Sequence, residues 1–132
     1  MALDLVIGNA RLEGHIGLVD VGIAAGRIAA IEPSIPADAP REDVGGRLLT
    51  GGLVECHIHL DKAHLLDRFT IVEGTLAEAV RETARLKAEF TVEDVYARAS
   101  RVVDQAVANG TMAMRTFVEV DPRAGLRSLE AI

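Results

Sequence analysis

Over roughly the first fifty residues, apolar and polar positions alternate with the two-residue period of β-strands. Leu3, Leu5 and Ile7 share one parity, as do Val19, Val21 and Ile23, and Gly8-Asn9 offers a turn between the runs. Ala25-Gly26 then separates the Val19–Ile23 run from Ile28–Ile31, which predicts a hairpin with Gly26 at positive φ. Together these runs predict a small antiparallel sheet. Glu32–Gly46 holds Pro33, Pro36 and Pro40 among scattered acids and predicts a loop.

From Leu48 the period changes. A short apolar strand over Leu53–Leu60 is followed by two helical stretches, a second strand over Thr111–Val120 and a last helix over Arg123–Ile132, which is βαβα order. Thr75 and Glu78 have capping-box spacing, and Leu76, Ala79, Val80, Thr83 and Leu86 then recur on one helix face. Thr91 and Asp94 start a second helix with a stripe of Val92, Val95, Ala99, Val102, Val103 and Ala106, stopped at Gly110. The last helix carries no stop signal, so the chain is expected to be truncated. No internal repeat or low-complexity tract interrupts this order.

Composition narrows the classes. The 132 residues are 49% hydrophobic and 26% charged, enough to bury a core, and the 3% aromatic content makes that core aliphatic. Twenty acids against 14 basic residues give a net charge of -6 with no basic stripe, which argues against nucleic acid or an anionic membrane as partner. Cys56 is the only cysteine, and the start Met1-Ala2-Leu3-Asp4 lacks the positive charge of a signal peptide, so a cytoplasmic protein is expected.

The chemistry concentrates in Leu53–Leu60. By strand parity Val54, Cys56, Ile58 and Leu60 form an apolar face for packing, with Cys56 in the core, while Leu53, Glu55, His57 and His59 point the other way. Polar groups facing the interior of a parallel sheet are costly unless paired or bound to metal. Two imidazoles on one strand face make half of a typical Zn²⁺ or Fe²⁺ site, and a hydrogen-bonded core pair is the alternative. They lie at the carboxyl end of the strand, where (β/α) barrels place their active sites. By parity in the second strand, Arg115, Phe117 and Glu119 face the same interior. Arg115 there needs an acid partner, most simply Glu119 or Glu55. Asp61 and Lys62 are either a solvated ion pair or part of the site wall, whereas His15 and His64 are expected to be ordinary loop or helix-start residues.

The string Gly51-Gly52-Leu53-Val54-Glu55-Cys56-His57-Ile58-His59-Leu60-Asp61-Lys62 resembles the first-strand signature of the amidohydrolase superfamily, and its Leu-Asp-Lys tail is most similar to the cytosine deaminase branch with its aminotriazine-hydrolysing relatives. Asp20-Val21-Gly22-Ile23, Gly26-Arg27-Ile28, Gly46-Arg47-Leu48-Leu49, Gly74-Thr75-Leu76, Asn109-Gly110-Thr111 and Arg115–Asp121 extend the likeness to nearly the whole chain. Gly51 stands where the family usually has Pro. Phe117 and Glu119 stand where cytosine deaminases have His and Asp, so cytosine itself is in doubt as the substrate.

The resemblance implies an α/β fold. Residues 1–50 would be part of a small antiparallel β-sandwich, and residues 51–132 the first two βα units of an incomplete metal-dependent (β/α)8 TIM barrel. It implies one divalent metal, zinc or iron, incompletely liganded by His57 and His59, with Asp61, Lys62, Phe117 and Glu119 as substrate-pocket candidates. No catalytic acid or base is expected in this chain. The parent enzyme would deaminate an amino-substituted N-heterocycle of cytosine or aminotriazine type with an activated water. Cyclic amide or imide hydrolysis on the same scaffold, or a non-catalytic split chain, are the alternatives. Two barrel strands leave open edges, so the chain is expected to need the missing segment or to self-associate.

Overall fold

The computed structural model describes residues 2–36 and 38–132; Met1, at the expected chain start, and Ala37, in the expected proline loop, lie outside the described residues. The chain divides into one unit ending at Gly51 and another beginning at Gly52.

In the first unit β1 (Leu5–Ala10), β2 (Val19–Ala24), β3 (Arg27–Glu32) and β4 (Arg41–Asp43) form a four-stranded sheet in the order β3-β2-β1-β4. The β2–β3 hairpin turns on Ala25 and Gly26, with φ of 49° and 70°. Two successive left-handed residues match the twist of the flanking strands. Ala25 is held in that conformation by donating its N–H to Asp4 Oδ2 at 2.5 Å.

Gly8-Asn9 is not the turn expected. Both lie inside β1, where Asn9 takes φ 56° at a bulge between Ile7 and Ala10, and the chain reverses instead over Glu13–Gly17. Nor is Glu32–Gly46 entirely loop. Arg41–Asp43 pairs parallel to β1, so the sheet is mixed rather than antiparallel. A three-residue charged edge strand carries no apolar period, which hides it in the sequence.

Asp20, 2% exposed on β2, draws these pieces together. Its carboxylate accepts from Asn9 N at 3.1 Å, Ile35 N at 2.8 Å and Arg41 Nη2 at 2.7 Å. The Arg41 guanidinium and these backbone donors hold the carboxyl below the usual carboxylate range. That guanidinium crosses Gly8, where a Cβ would come within 2.5 Å of Arg41 Nη2. Ile7, Leu12, Val21, Ile23, Ile28, Ile31 and Leu49 line an open apolar cleft on this sheet.

In the second unit β5 (Leu53–Ile58) and β6 (Thr111–Thr116) pair in parallel, Leu53 opposite Thr111 and Ile58 opposite Thr116. The crossover between them carries 3-10 turns at Leu60–Lys62, Leu66–Arg68 and Lys87–Glu89, with α1 (Leu76–Leu86) and α2 (Val92–Ala108); α3 (Arg127–Ala131) follows β6. Both helices start on their expected caps, Thr75 Oγ1 accepting from Glu78 N and Thr91 Oγ1 from Asp94 N, each at 3.1 Å. The Glu78 carboxylate does not return to Thr75. It accepts from Val72, Glu73 and Gly74 N–H at 2.7–2.8 Å, organising the loop before the helix and lowering its own pKa through those donors.

The core of this unit is Leu65, Leu86, Phe90 and Val95, with Phe69 and Ala131 packed on it. It therefore lies among the helices and the turns, not under the sheet. Cys56 is exposed instead of buried, and Val54 is 68% exposed, because α2 packs on the Leu60–Lys62 turn and on β6 rather than over β5. Of the α1 stripe only Leu86 is buried; Leu76 and Val80 remain exposed.

Three element ends also differ from expectation. β5 stops at Ile58, β6 stops at Thr116 and α3 starts at Arg127. Beyond Thr116, Phe117 N still donates to Ile58 O at 2.8 Å, but Glu119 N donates to the Asp61 carboxylate at 2.9 Å. A side chain thus replaces the ladder and the strand ends. Before α3, Asp121 Oδ1 accepts from Arg123 N and Ala124 N at 2.7 and 2.9 Å, which makes Asp121–Gly125 a turn.

Candidate functional site

The end of β5 and the segment after β6 bring three rings together. His57 is the penultimate residue of β5, and His59 follows the strand as the cap of the Leu60–Lys62 turn. Their ring centroids are 5.5 Å apart. Phe117 lies 4.5 Å from His57 and 5.7 Å from His59, so the first residue past β6 covers one side of the pair. Both imidazoles are exposed, and no hydrogen bond among the described residues engages either ring. The donor set of two neighbouring neutral nitrogens fits a borderline divalent cation. Among the described residues no cluster of three or more His, Cys, Asp or Glu accompanies the pair.

Two other pocket candidates, Lys62 and Glu119, form an ionic chain with Lys87 and Asp121. Lys62 Nζ is 2.5 Å from Glu119 Oε2, Lys87 Nζ is 2.9 Å from Glu119 Oε1, and Lys87 Nζ also reaches Asp121 Oδ2 at 2.5 Å. Lys62 first and Lys87 second hold the Glu119 carboxyl below its ordinary value. Asp121 is pushed lower still, chiefly by Lys87, while Lys87 is raised, chiefly by Asp121. Alternating charges at these distances lock the segment after β6 to the turn after β5.

Asp61 is 0% exposed and does not stand as a solvated partner of Lys62. Its Oδ2 accepts from Glu119 N, and its Oδ1 is buried with no hydrogen-bond partner. Arg115 pairs with neither Glu119 nor Glu55, contrary to expectation. Glu119 is engaged by the two lysines, Glu55 curls back to accept from His57 N at 2.9 Å, and Arg115 remains exposed. His15 is an exposed loop residue whose Nδ1 lies 3.3 Å from Glu13 O. His64 takes φ 54° and buries an Nε2 that has no partner, which is more constrained than an ordinary loop residue.

Two residues that hold this arrangement escape the pattern of the sequence. Lys87 follows α1 with nothing to mark it. Arg98 does leave a signal: it interrupts the α2 stripe between Val95 and Ala99, and a charge inside an apolar stripe needs a partner. It is 6% exposed and finds Asp94 one turn back, together with two backbone carbonyls of the turn after β5.

No protein-family model matches the chain. A curated relative, N-isopropylammelide isopropyl amidohydrolase of Pseudomonas sp. (strain ADP), is 30% identical over 135 residues, covering 98% of this chain and 34% of the relative. Among solved structures, 5-methylcytosine deaminase from Klebsiella pneumoniae liganded with 5-fluorocytosine aligns with a TM-score of 0.83 and 32% identity, covering 96% of this chain and 31% of that one. N-isopropylammelide isopropylaminohydrolase from Burkholderia multivorans ATCC 17616 aligns with a TM-score of 0.77 and 32% identity, covering 99% and 33%. The chain spans about a third of the length of the proteins it matches. No helix among the described residues is long and apolar enough to cross a membrane.

Proposed function

We propose that this chain, whose homologues are amidohydrolase-superfamily hydrolases acting on C–N bonds, forms the first two βα units of a TIM-barrel deaminase for amino-substituted N-heterocycles. His57 and His59 hold one divalent cation, zinc or iron, together with ligands from outside these 132 residues. The observation that carries the reading is the pair itself: two unengaged imidazoles 5.5 Å apart at the carboxyl end of a parallel strand. A bound cation supplies the Lewis acidity that makes a water nucleophilic near neutral pH.

The chain's own residues build the wall of the pocket. Phe117 offers an aromatic face beside the imidazoles, suited to a planar ring and unable to hydrogen-bond as the histidine usual in cytosine deaminases does. Glu119 is kept ionised by Lys62 and Lys87, so it holds the wall and moves no proton near neutral pH. The acid and base that transfer protons to the leaving amine come from outside this chain.

The test is a titration of the purified chain with Zn²⁺ and Fe²⁺ against His57→Ala and His59→Ala, with ammonia release followed on cytosine, an aminotriazine and a cyclic imide. One bound ion, lost in either variant, is the expected result. Binding that survives in both variants overturns the metal assignment. The chain alone is expected to release no ammonia, and release above the alanine controls would place the acid and base within these residues.

A further inference from the structure

Arg98 is buried beside the apolar stripe of α2, and all three nitrogens of its guanidinium are engaged. Nη1 donates to Asp61 O at 2.8 Å and to Ala63 O at 2.7 Å, Nε and Nη2 each donate to Asp94 Oδ2 at 3.0 Å, and the guanidinium carbon lies 4.8 Å over the Phe90 ring. The two carbonyls belong to the turn that His59 caps. Its other anchors run to β6 and the segment after it: Leu60 N donates to Thr116 Oγ1 at 3.2 Å, the buried Asp61 carboxylate takes Glu119 N, and Lys62 pairs with Glu119.

His57 and His59 are therefore held by different means. His57 lies within β5, bracketed by the ladder pairs Glu55–Met114 and Ile58–Thr116, and donates its own N–H to Glu55 Oε1 at 2.9 Å. His59 lies past the ladder, at φ -116° and ψ 81°, with no side-chain cap. Its place depends on the turn behind it, and α2 grips that turn through Arg98.

We propose that Arg98 is a positioning residue for the imidazole pair: by clamping the Asp61 and Ala63 carbonyls to Asp94 and Phe90, it sets where His59 stands relative to His57. The metal half of this inference rests on the reading of His57 and His59 as ligands; the geometric half does not. The planar guanidinium is essential, since a lysine ammonium cannot serve two carbonyls and a carboxylate in fixed directions while lying over a ring. A general packing role differs in consequence, because it disturbs both imidazoles together.

The test uses the full chain with Arg98→Lys, Arg98→Met and, as a control that weakens a crossover helix without touching Asp94 or the turn, Thr75→Ala at the start of α1. In metal-free protein, NMR contacts from the Phe117 ring to each imidazole report the geometry; Zn²⁺ titration reports its use. Arg98→Lys is expected to lose the Phe117–His59 contact and keep the Phe117–His57 contact, and to bind Zn²⁺ at least about tenfold more weakly, as loss of an outer-shell support does. Thr75→Ala is expected to lower the melting midpoint and keep both contacts and the affinity. Should Arg98→Met fail to fold, Arg98→Lys carries the comparison. Both contacts kept in Arg98→Lys, or both lost together, overturns the proposal. If the unaltered chain takes up no Zn²⁺, the metal reading falls, and the two ring contacts still decide the role of Arg98.

Discussion

The ring of Phe117 lies against that of His57 with centroids 4.5 Å apart and planes inclined by 37°. The two residues stand 60 positions apart, and only parallel pairing of β5 with β6 brings them together. Phe117→Leu is therefore expected to shift the His57 ring protons downfield, by removing the ring current above them, with little change in the β5–β6 ladder. Proton NMR of the histidine side chains checks this, and unshifted His57 resonances would separate the two rings.

Phe90 is 0% exposed and carries both the core contacts and the Arg98 guanidinium on its face. Phe90→Ala is expected to lower the unfolding free energy of the second unit by about 3–5 kcal/mol, the usual cost of emptying a buried aromatic site. Urea unfolding followed by circular dichroism measures it. A loss under about 1 kcal/mol would mean that the neighbours collapse into the space.

Removing a helix cap by Thr91→Ala is expected to cost about 1 kcal/mol, because Asp94 N–H loses its side-chain acceptor. Thr75→Ala removes the same bond from α1 but leaves Glu78 on its three loop donors. Glu78→Ala is thus expected to release the 72–74 amides to hydrogen exchange, and Thr75→Ala is not. Equal exchange in the two variants would contradict the division of labour.

The stability of the second unit should have two pH limits. Glu78, Asp94, Glu119 and Asp121 have pKa values below those of an unfolded chain, so the stability they add is present above about pH 4–5 and is lost as the pH falls through their folded values. Lys87 is raised, so its part is present below about pH 10 and is lost as the pH rises through its folded value. A melting midpoint that is flat between these limits is expected, with the alkaline fall reduced in Lys87→Met. A midpoint rising towards low pH would reverse the sign of the argument.

Much of the site could be read from the chain because it is local. The two helix caps, the Ala25-Gly26 hairpin and the placing of His57 and Phe117 on one side of the β5–β6 pair follow from spacing and parity, which depend only on bond geometry within a few residues. The errors begin where a distant side chain competes with a local rule. The period of β6 runs on to Val120, yet the strand stops at Thr116 because the carboxylate of Asp61 takes the Glu119 amide that the ladder would have used. Gly8-Asn9 has turn chemistry, yet it forms a bulge because Asp20 accepts from Asn9 and Arg41 from β4 lies over Gly8. Arg115 was the charge that demanded a partner, and Glu119 was instead taken by Lys62 and by Lys87 from the far end of α1. What the sequence determined by itself was which backbone groups and faces are available within each element. Which charges meet, and where His59 is held beyond its strand, was decided only when the crossover helices returned the chain to the sheet, because an ion pair or a side-chain hydrogen bond forms between groups that are near in space, whatever their separation along the chain.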